Sequence, residues 1–152
     1  TNIHSHYVGA GVDLMAGYEY TGRMMITDSS GGIGVTFFSR YPSSDSYYRL
    51  RRYRGSRTLH IAPHGTSVSG DTDTGVIPVK NRWYRFKIQV ADTGTQTDLR
   101  AKVWAEGESE PSSWQATAYD ASSKRLTFGT IGLWSMGAGG KLWDDLTVRS
   151  FD

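Results

Sequence analysis

Cysteine is absent from this chain of 152 residues, and proline is scarce, with four residues. Without a thiol, the chain has neither a disulfide nor a thiolate nucleophile. No apolar run approaches the roughly 20 residues of a membrane-spanning helix, so we expect no membrane partner. A large excess of one charge is also missing. Because the net charge is only +2, any electrostatic function depends on where the charges lie.

Long stretches of strong helix formers are missing as well, whereas 18 glycines, 9 tyrosines and many threonines and valines are present. This composition predicts an all-β protein. The length predicts one domain over residues 1–152, which we expect to be excised from a larger multidomain protein.

Alternation of apolar and polar residues, interrupted by Gly, Ser, Asp and Asn clusters, predicts nine strands. They are expected near residues 18–27, 33–40, 46–54, 57–62, 83–91, 98–106, 113–119, 127–134 and 141–149. Glycines at 29–32 and 53–57 predict hairpin-like turns, and the polar stretch 63–80 predicts a long surface loop. Nine short strands without a helix predict a two-sheet antiparallel β-sandwich of the jelly-roll type.

Strand alternation also predicts which side chains face outward. Tyr48 and Leu50 form the better inward pair of the arginine-rich stretch YYRLRRYRGSR, residues 47–57. An exposed row of aromatic and cationic side chains follows on the opposite face: Tyr47, Arg49, Arg51 and Tyr53. By the same alternation, four further candidates face outward: Trp83, Arg100, Lys102 and Trp104.

Three segments carry a resemblance to a known group of domains. IGVTFFSRYPSSDSYYRLRRYRG (33–55), WYRFKIQV (83–90) and IGLWSMGAGGKLWDDLTV (131–148) resemble the concanavalin A-like, or laminin G-like, jelly-roll domains of bacteria. The group includes carbohydrate-binding modules, lectins, glycoside hydrolases, polysaccharide lyases and adhesive domains, so it specifies fold better than function. The resemblance implies a secreted protein and leaves a structural calcium possible, with Asp144 and Asp145 as its motif-level candidates.

The catalytic motifs of the enzymes in this concanavalin A-like group are absent from the sequence. A glycoside hydrolase needs two carboxylates on a cleft strand, and no E-x-D-x-x-E strand occurs. The Q-[IV]-H and Y-F-K-A-G-x-Y-x-Q patterns of alginate lyases are absent too, and His60 and His64 are the nearest approach. We therefore expect no enzyme, with a polysaccharide lyase as the runner-up.

The outward aromatic and basic residues favour a carbohydrate ligand. Sugar rings stack on Trp and Tyr side chains, and the Arg guanidinium forms bidentate hydrogen bonds to a uronate carboxylate or a sulfate. We therefore predict a monomeric carbohydrate-binding module that needs no cofactor and targets an attached polysaccharide-degrading enzyme to an acidic polysaccharide. Its ligand-binding residues would be Tyr47, Arg49, Arg51, Tyr53, Trp83, Arg100, Lys102 and Trp104.

The same residues are also compatible with purely structural roles. The arginine row could be an ordinary solvated strand. The segment after Trp104 could fold back over its ring, and Trp134 and Trp143 could close the core. An adhesive, protein-binding domain is a further alternative, whereas no oligonucleotide-binding or RNA-recognition signature supports a nucleic-acid partner.

Overall fold

The computed structural model describes residues 2–9, 11, 15–55 and 57–151. Within these ranges the chain forms eleven strands and no helix, hence no helix that could cross a membrane. The strands are β1 (Asn2–His6), β2 (Gly17–Ile26), β3 (Gly32–Ser39), β4 (Tyr47–Arg52), β5 (His60–His64), β6 (Ser69–Asp71), β7 (Tyr84–Asp92), β8 (Thr97–Ala105), β9 (Ala116–Asp120), β10 (Thr130–Met136) and β11 (Lys141–Ser150).

The strands form two antiparallel sheets that pack face to face. The five-stranded sheet has the order β1-β10-β3-β4-β5, and the six-stranded sheet has the order β11-β2-β7-β8-β9-β6. Four of the nine neighbouring pairs are consecutive in the sequence, namely β3–β4, β4–β5, β7–β8 and β8–β9, and the other five are not, because the chain crosses between the sheets. The predicted jelly-roll sandwich is confirmed.

The core lies between the sheets and is built from alternate residues of each strand. β7 contributes Tyr84, Phe86 and Ile88, and β4 contributes Tyr48 and Leu50, all buried. Every second residue of these strands therefore belongs to an outer face, as the alternation predicts. Two buried tyrosines also join the layers: the Tyr48 hydroxyl donates to Asp120 of β9 at 2.7 Å, and the Tyr18 hydroxyl accepts from the Phe38 amide at 2.8 Å.

All nine predicted strands exist, with ends displaced by a few residues. Two more were missed. β1 is an edge strand with an alternating but mostly polar sequence, NIHSH, and β6 is a three-residue strand inside the predicted 63–80 loop. β1 pairs with β10, and β6 pairs with β9. These strands therefore form because of pairing with a neighbour, and their own sequences carry little strand signal.

The two predicted hairpin turns have different outcomes. Residues 53–57 connect β4 to β5, which pair antiparallel, so this hairpin is confirmed apart from residue 56, which lies outside the described ranges. The 29–32 prediction is wrong, since this turn carries the chain from β2 in one sheet to β3 in the other. Gly55 in the hairpin adopts a positive φ of 69°, whereas neither Gly31 nor Gly32 in the 29–32 turn has a positive φ.

Candidate functional site

The predicted binding residues lie on opposite outer surfaces of the sandwich. We call the outer face of the five-stranded sheet, around Arg49, Arg51 and Trp134, the arginine face. We call the outer face of the six-stranded sheet, around Arg23, Arg85 and the carboxylates bound to them, the ion-pair face. The arginine face carries Tyr47, Arg49, Arg51 and Tyr53, and the ion-pair face carries Trp83, Arg100, Lys102 and Trp104. One continuous site cannot contain all eight.

Strand register places a tryptophan beside the arginines. Trp134 of β10 pairs with Gly34 of β3, and Gly34 pairs with Arg51 of β4. Because Gly34 has no side chain, nothing separates the indole from the guanidinium across the intervening strand. The Arg51 guanidinium lies 4.8 Å and that of Arg49 lies 5.8 Å from the centre of the Trp134 ring.

Trp134 therefore differs from the sequence expectation. It is fully buried, but it lies on the arginine face and is covered by guanidinium groups instead of closing the core between the sheets. Trp143 does pack against the core, and its indole N–H donates to the Gly34 carbonyl at 3.1 Å. Sequence alternation alone could have separated the two, because Leu133 next to Trp134 is the residue that packs on the core.

Arg49 is desolvated and Arg51 is partly desolvated, and neither is neutralised by a carboxylate in the described residues. Arg49 donates one hydrogen bond, from Nη2 to the Pro63 carbonyl at 2.8 Å. In the described part of the chain no carboxylate pairs with either arginine, and the buried Nε atoms of both lack a hydrogen-bond partner. Burial and the neighbouring Arg51 charge lower the pKa of Arg49 to about 10, and burial also lowers the pKa of Arg51. Such a pair favours an anion that can accept from both guanidiniums.

Further cations extend this region along the β4–β5 hairpin. The guanidiniums of Arg51, Arg54 and Arg57 lie 5.1, 5.3 and 5.9 Å from the Tyr53 ring. Arg54 and Arg57 are exposed, and Tyr53 is half-buried. The hairpin thus places three positive charges around one aromatic ring, next to the desolvated Arg49.

The sixth residue of the stretch has a different role. Arg52 faces inward and is almost fully buried. Its guanidinium donates to the carbonyls of Ser29 and Gly31, at 2.5 and 2.7 Å from Nη2, and to that of Pro78. Arg52 therefore ties the 29–31 turn and the Pro78 segment to β4 and is not available to a ligand.

An aromatic and histidine cluster borders the arginines and was missed from the sequence. The Tyr47 ring stacks on His64 at 4.7 Å and lies 5.1 Å from His6, which itself stacks on Tyr41 at 4.9 Å. The His6 Nδ1 is 2.7 Å from the Ser39 hydroxyl. Three of these residues come from edge strands or a loop, namely His6 of β1, His64 of β5 and Tyr41, so only the fold brings them together.

These neighbours correct one prediction. The row Tyr47, Arg49, Arg51 and Tyr53 faces outward as predicted, but Tyr47 and Arg49 are buried, with 1% and 6% of their surface exposed. The rings of His6 and His64 cover Tyr47, and its own ring lies 5.7 Å from the Arg49 guanidinium. Arg51 and Tyr53 keep partial exposure, so a ligand would reach the site from their side.

The ion-pair face is neutralised by its own carboxylates. Glu106 accepts from Arg23 at 2.9 Å and from Arg85 at 3.0 Å, while Glu110 accepts from Lys87 at 3.0 Å and lies 2.8 Å from the Lys102 ammonium. The hydrogen bond from Lys102 holds the pKa of Glu110 below its ordinary value. An acidic ligand would have to displace these carboxylates.

The segment that follows Trp104 folds back over this face, as one alternative anticipated. Lys102 donates to the Pro111 carbonyl at 2.8 Å and lies 4.9 Å from the Trp114 ring, which also stacks on Arg100 at 4.7 Å. Lys102 is consequently buried, and Trp104 is half-buried. Trp83 is half-buried as well, under the Arg23 guanidinium at 4.4 Å.

The calcium candidates do not fit a metal site. Asp144 and Asp145 sit at a bulge in β11 and both bind Arg23, at 2.8 and 3.3 Å, while Asp145 also lies 3.8 Å from Arg85. Their charges are thus already balanced by guanidinium groups. Across the described ranges, no group of three or more His, Asp or Glu side chains is arranged to hold a metal ion.

Comparison with known proteins agrees with this architecture. A native heptameric SAP-like pentraxin from Limulus polyphemus matches over 90% of this chain and 65% of its own, at 12% identity and a TM-score of 0.52. A GH131 beta-glucanase catalytic domain from Podospora anserina matches over 94% of this chain and 61% of its own, at 12% identity and a TM-score of 0.49. The pentraxin likeness supports the concanavalin A-like jelly-roll fold and nothing finer. No family model and no curated protein matches the chain.

Proposed function

We propose that this domain is a non-catalytic carbohydrate-binding module that docks an acidic polysaccharide, uronate or sulfated, on its arginine face. In a secreted multidomain enzyme it would hold the catalytic domain at its substrate by raising the effective concentration. A monomer suffices for this role, because all residues of the arginine face belong to one chain. No catalytic step is assigned to the site.

One observation carries the proposal: Arg49 and Arg51 are desolvated, lie on the Trp134 ring and have no carboxylate partner among the described residues. An isolated charge in a dry site is unfavourable until a counter-charge arrives. Two adjacent guanidiniums with free N–H groups match the two oxygens of a carboxylate or sulfate. The Tyr53 ring beside Arg51 offers a surface on which a sugar ring can stack.

Arg51→Ala tests the proposal directly. It should weaken binding to an acidic polysaccharide such as alginate, pectin or a sulfated galactan by about 1–3 kcal/mol, the range for charge-assisted hydrogen bonds. The domain should stay folded, because Arg51 is only half-buried and makes no hydrogen bond within the described residues. Affinity gels at two salt concentrations measure the loss, and wild-type binding should fall as salt rises.

Two variants on the opposite face are matched controls. Arg85→Ala removes the same positive charge, and Trp104→Ala removes an aromatic ring that strand alternation also predicts to face outward. Both should leave the affinity for acidic glycans within about twofold of wild type. Equal losses in Arg51→Ala and Arg85→Ala would mean that binding depends on net charge alone, and the arginine face would lose its assignment.

A second candidate function, a polysaccharide lyase, is favoured by the cluster beside Arg49. Burial and His4 lower the pKa of His6 to about 4, so its imidazole is neutral at pH 7, and its Nδ1 lies 2.7 Å from the Ser39 hydroxyl. The Tyr47 ring lies 5.1 Å away and Arg49 borders it. A lyase would release unsaturated uronates, seen as new ultraviolet absorbance during incubation with alginate or pectin. Binding without any such product supports the non-catalytic module.

A further inference from the structure

A separate groove of about 650 Å³ lies on the ion-pair face, far from the arginines of the opposite sheet. Its base follows one row of the strand register, in which Gly17 pairs with Ala91, Ala91 with Asp98, and Asp98 with Tyr119. Gly17 and Ala91 are small, so the sheet surface is depressed there. The Phe151 ring lies over Gly17, where an added Cβ would be 3.1 Å from it.

Two exposed aromatic rings stand at opposite ends of this row. Tyr119 and Phe151 expose 40% and 48% of their surface, respectively. Three steps between neighbouring strands separate Gly17, over which the Phe151 ring lies, from Tyr119, which corresponds to about 14 Å at the usual strand spacing. This separation leaves room for a short oligosaccharide whose outer sugar rings stack on the aromatic rings.

The side of the groove is lined by polar groups that are already held in place. Arg100 donates from Nε to the side-chain oxygen of Gln89 at 2.9 Å, and Gln89 donates to Glu19 at 3.0 Å. Gln96 donates to one oxygen of Asp98 at 2.7 Å. The terminal nitrogens of Arg100, the second oxygen of Asp98 and the side-chain oxygen of Gln96 remain for a ligand. Fixed donors and acceptors together suit hydroxyl groups, which need both.

The net charge of the side chains that line the groove indicates which class of ligand it would bind. Asp98 and Arg100 are the charged side chains that line it, and their charges sum to zero. We propose that this groove is a second binding site, which takes a neutral, hydroxyl-rich glycan segment and works independently of the arginine face. The domain would then hold an acidic glycan on one sheet and a neutral glycan on the other.

Nuclear magnetic resonance of the labelled domain tests this site with five neutral probes: maltohexaose, cellohexaose, xylohexaose, mannohexaose and laminarihexaose. At least one probe should shift the backbone amide signals of Ala91, Arg100 and Tyr119. Tyr119→Ala should weaken binding of that probe by about fivefold or more, because a stacking ring is lost, whereas Tyr119→Trp should restore binding.

Arg51→Ala separates this proposal from the arginine site. It should leave the binding of the neutral probe unchanged while it weakens the binding of acidic glycans. The groove proposal is overturned if no probe shifts these signals at millimolar concentration, or if the shifts appear around Arg49 and Arg51. It is also overturned if Tyr119→Ala binds the probe as wild type does. The acidic-glycan proposal is tested separately, by the loss of acidic-glycan binding in Arg51→Ala.

Discussion

The two outer faces of the sandwich carry similar residue types, but their cations differ in whether a carboxylate neutralises them. On the ion-pair face, Glu106 and Glu110 bind four cations between them. On the arginine face, Arg49 and Arg51 have aromatic neighbours and no carboxylate within the described ranges. Cations and rings that look equivalent in the sequence therefore differ in whether their charge is available to a ligand.

The difference shows why a basic-aromatic strand is weak evidence for binding until its partners are known. Arg85 and Arg51 both alternate outward from a buried strand, and each has an aromatic residue nearby in the sequence. Only the tertiary contacts reveal that Arg85 meets Glu106 at 3.0 Å, whereas Arg51 meets Trp134 at 4.8 Å. Surface ion pairs contribute little to stability, but they do remove a cation from recognition.

The largest expected effect separates two neighbouring arginines of β4. Arg52→Met should destabilise the domain by about 2–4 kcal/mol, because it leaves the buried Gly31 carbonyl and the Ser29 carbonyl without their donor. Arg51→Met should change stability by less than about 1 kcal/mol, since its guanidinium binds no backbone group within the described residues. Urea denaturation of the two variants measures the contrast. Equal destabilisation would mean that Arg51 is a structural residue like Arg52.

The next effect concerns pH and is confined to the arginine face. Burial and His4 lower the pKa of His6 from 6.5 to about 4, with Asp45 opposing them. Between these values the unfolded chain binds more protons than the folded one. The stability that His6 contributes is therefore complete above pH 6.5 and falls as the pH drops towards 4.

Replacing the imidazole tests this assignment to His6. His6→Asn should flatten the loss of stability between about pH 6.5 and about pH 4.5, measured by urea denaturation at several pH values. His60→Asn on β5, a half-buried histidine that bonds to the Thr58 carbonyl, is the matched control and should keep the wild-type slope. An unchanged slope in His6→Asn would show that the acid sensitivity does not come from His6.

Much of the fold could be predicted from the sequence because successive side chains of a strand point to opposite faces, so alternating apolar residues mark the buried face. The inward sets of β7 and β8, such as Phe86, Ile88 and Val103, are buried as expected. β1 could not be predicted in this way from NIHSH, because an edge strand with one partner carries little apolar signal. Its pairing with β10 brings His4 and His6 to the site.

The candidate site was predictable in residue type but not in arrangement. Alternation places Arg49 and Arg51 on an outer face correctly, yet it cannot tell which sheet a strand joins. Trp104 and Arg51 therefore looked like members of one surface, although β8 and β4 belong to different sheets. The sheet that a strand joins depends on turns that carry the chain from one sheet to the other, such as residues 29–32 between β2 and β3. The local sequence of this turn is also compatible with a hairpin.

The smallest expected effect is a weak affinity for acidic glycans on the ion-pair face, produced by removing the carboxylates that bind its cations. In an Arg49→Gln and Arg51→Gln background, which removes the proposed acidic site, Glu110→Gln releases Lys87 and Lys102 from their carboxylate. Glu106→Gln leaves Arg85 with only the more distant Asp145, at 3.8 Å. We expect a gain of a few-fold in low-salt affinity for alginate. This gain should be lost at physiological salt, because Arg85 and Lys87 are partly exposed and salt screens exposed charges. Affinity gels measure the gain, and Glu108→Gln, which frees only the exposed Arg82, is the control. If the altered face bound alginate as tightly as the wild-type domain does, unpaired charge alone would account for recognition, and the stacking of guanidiniums on Trp134 would have no part in it.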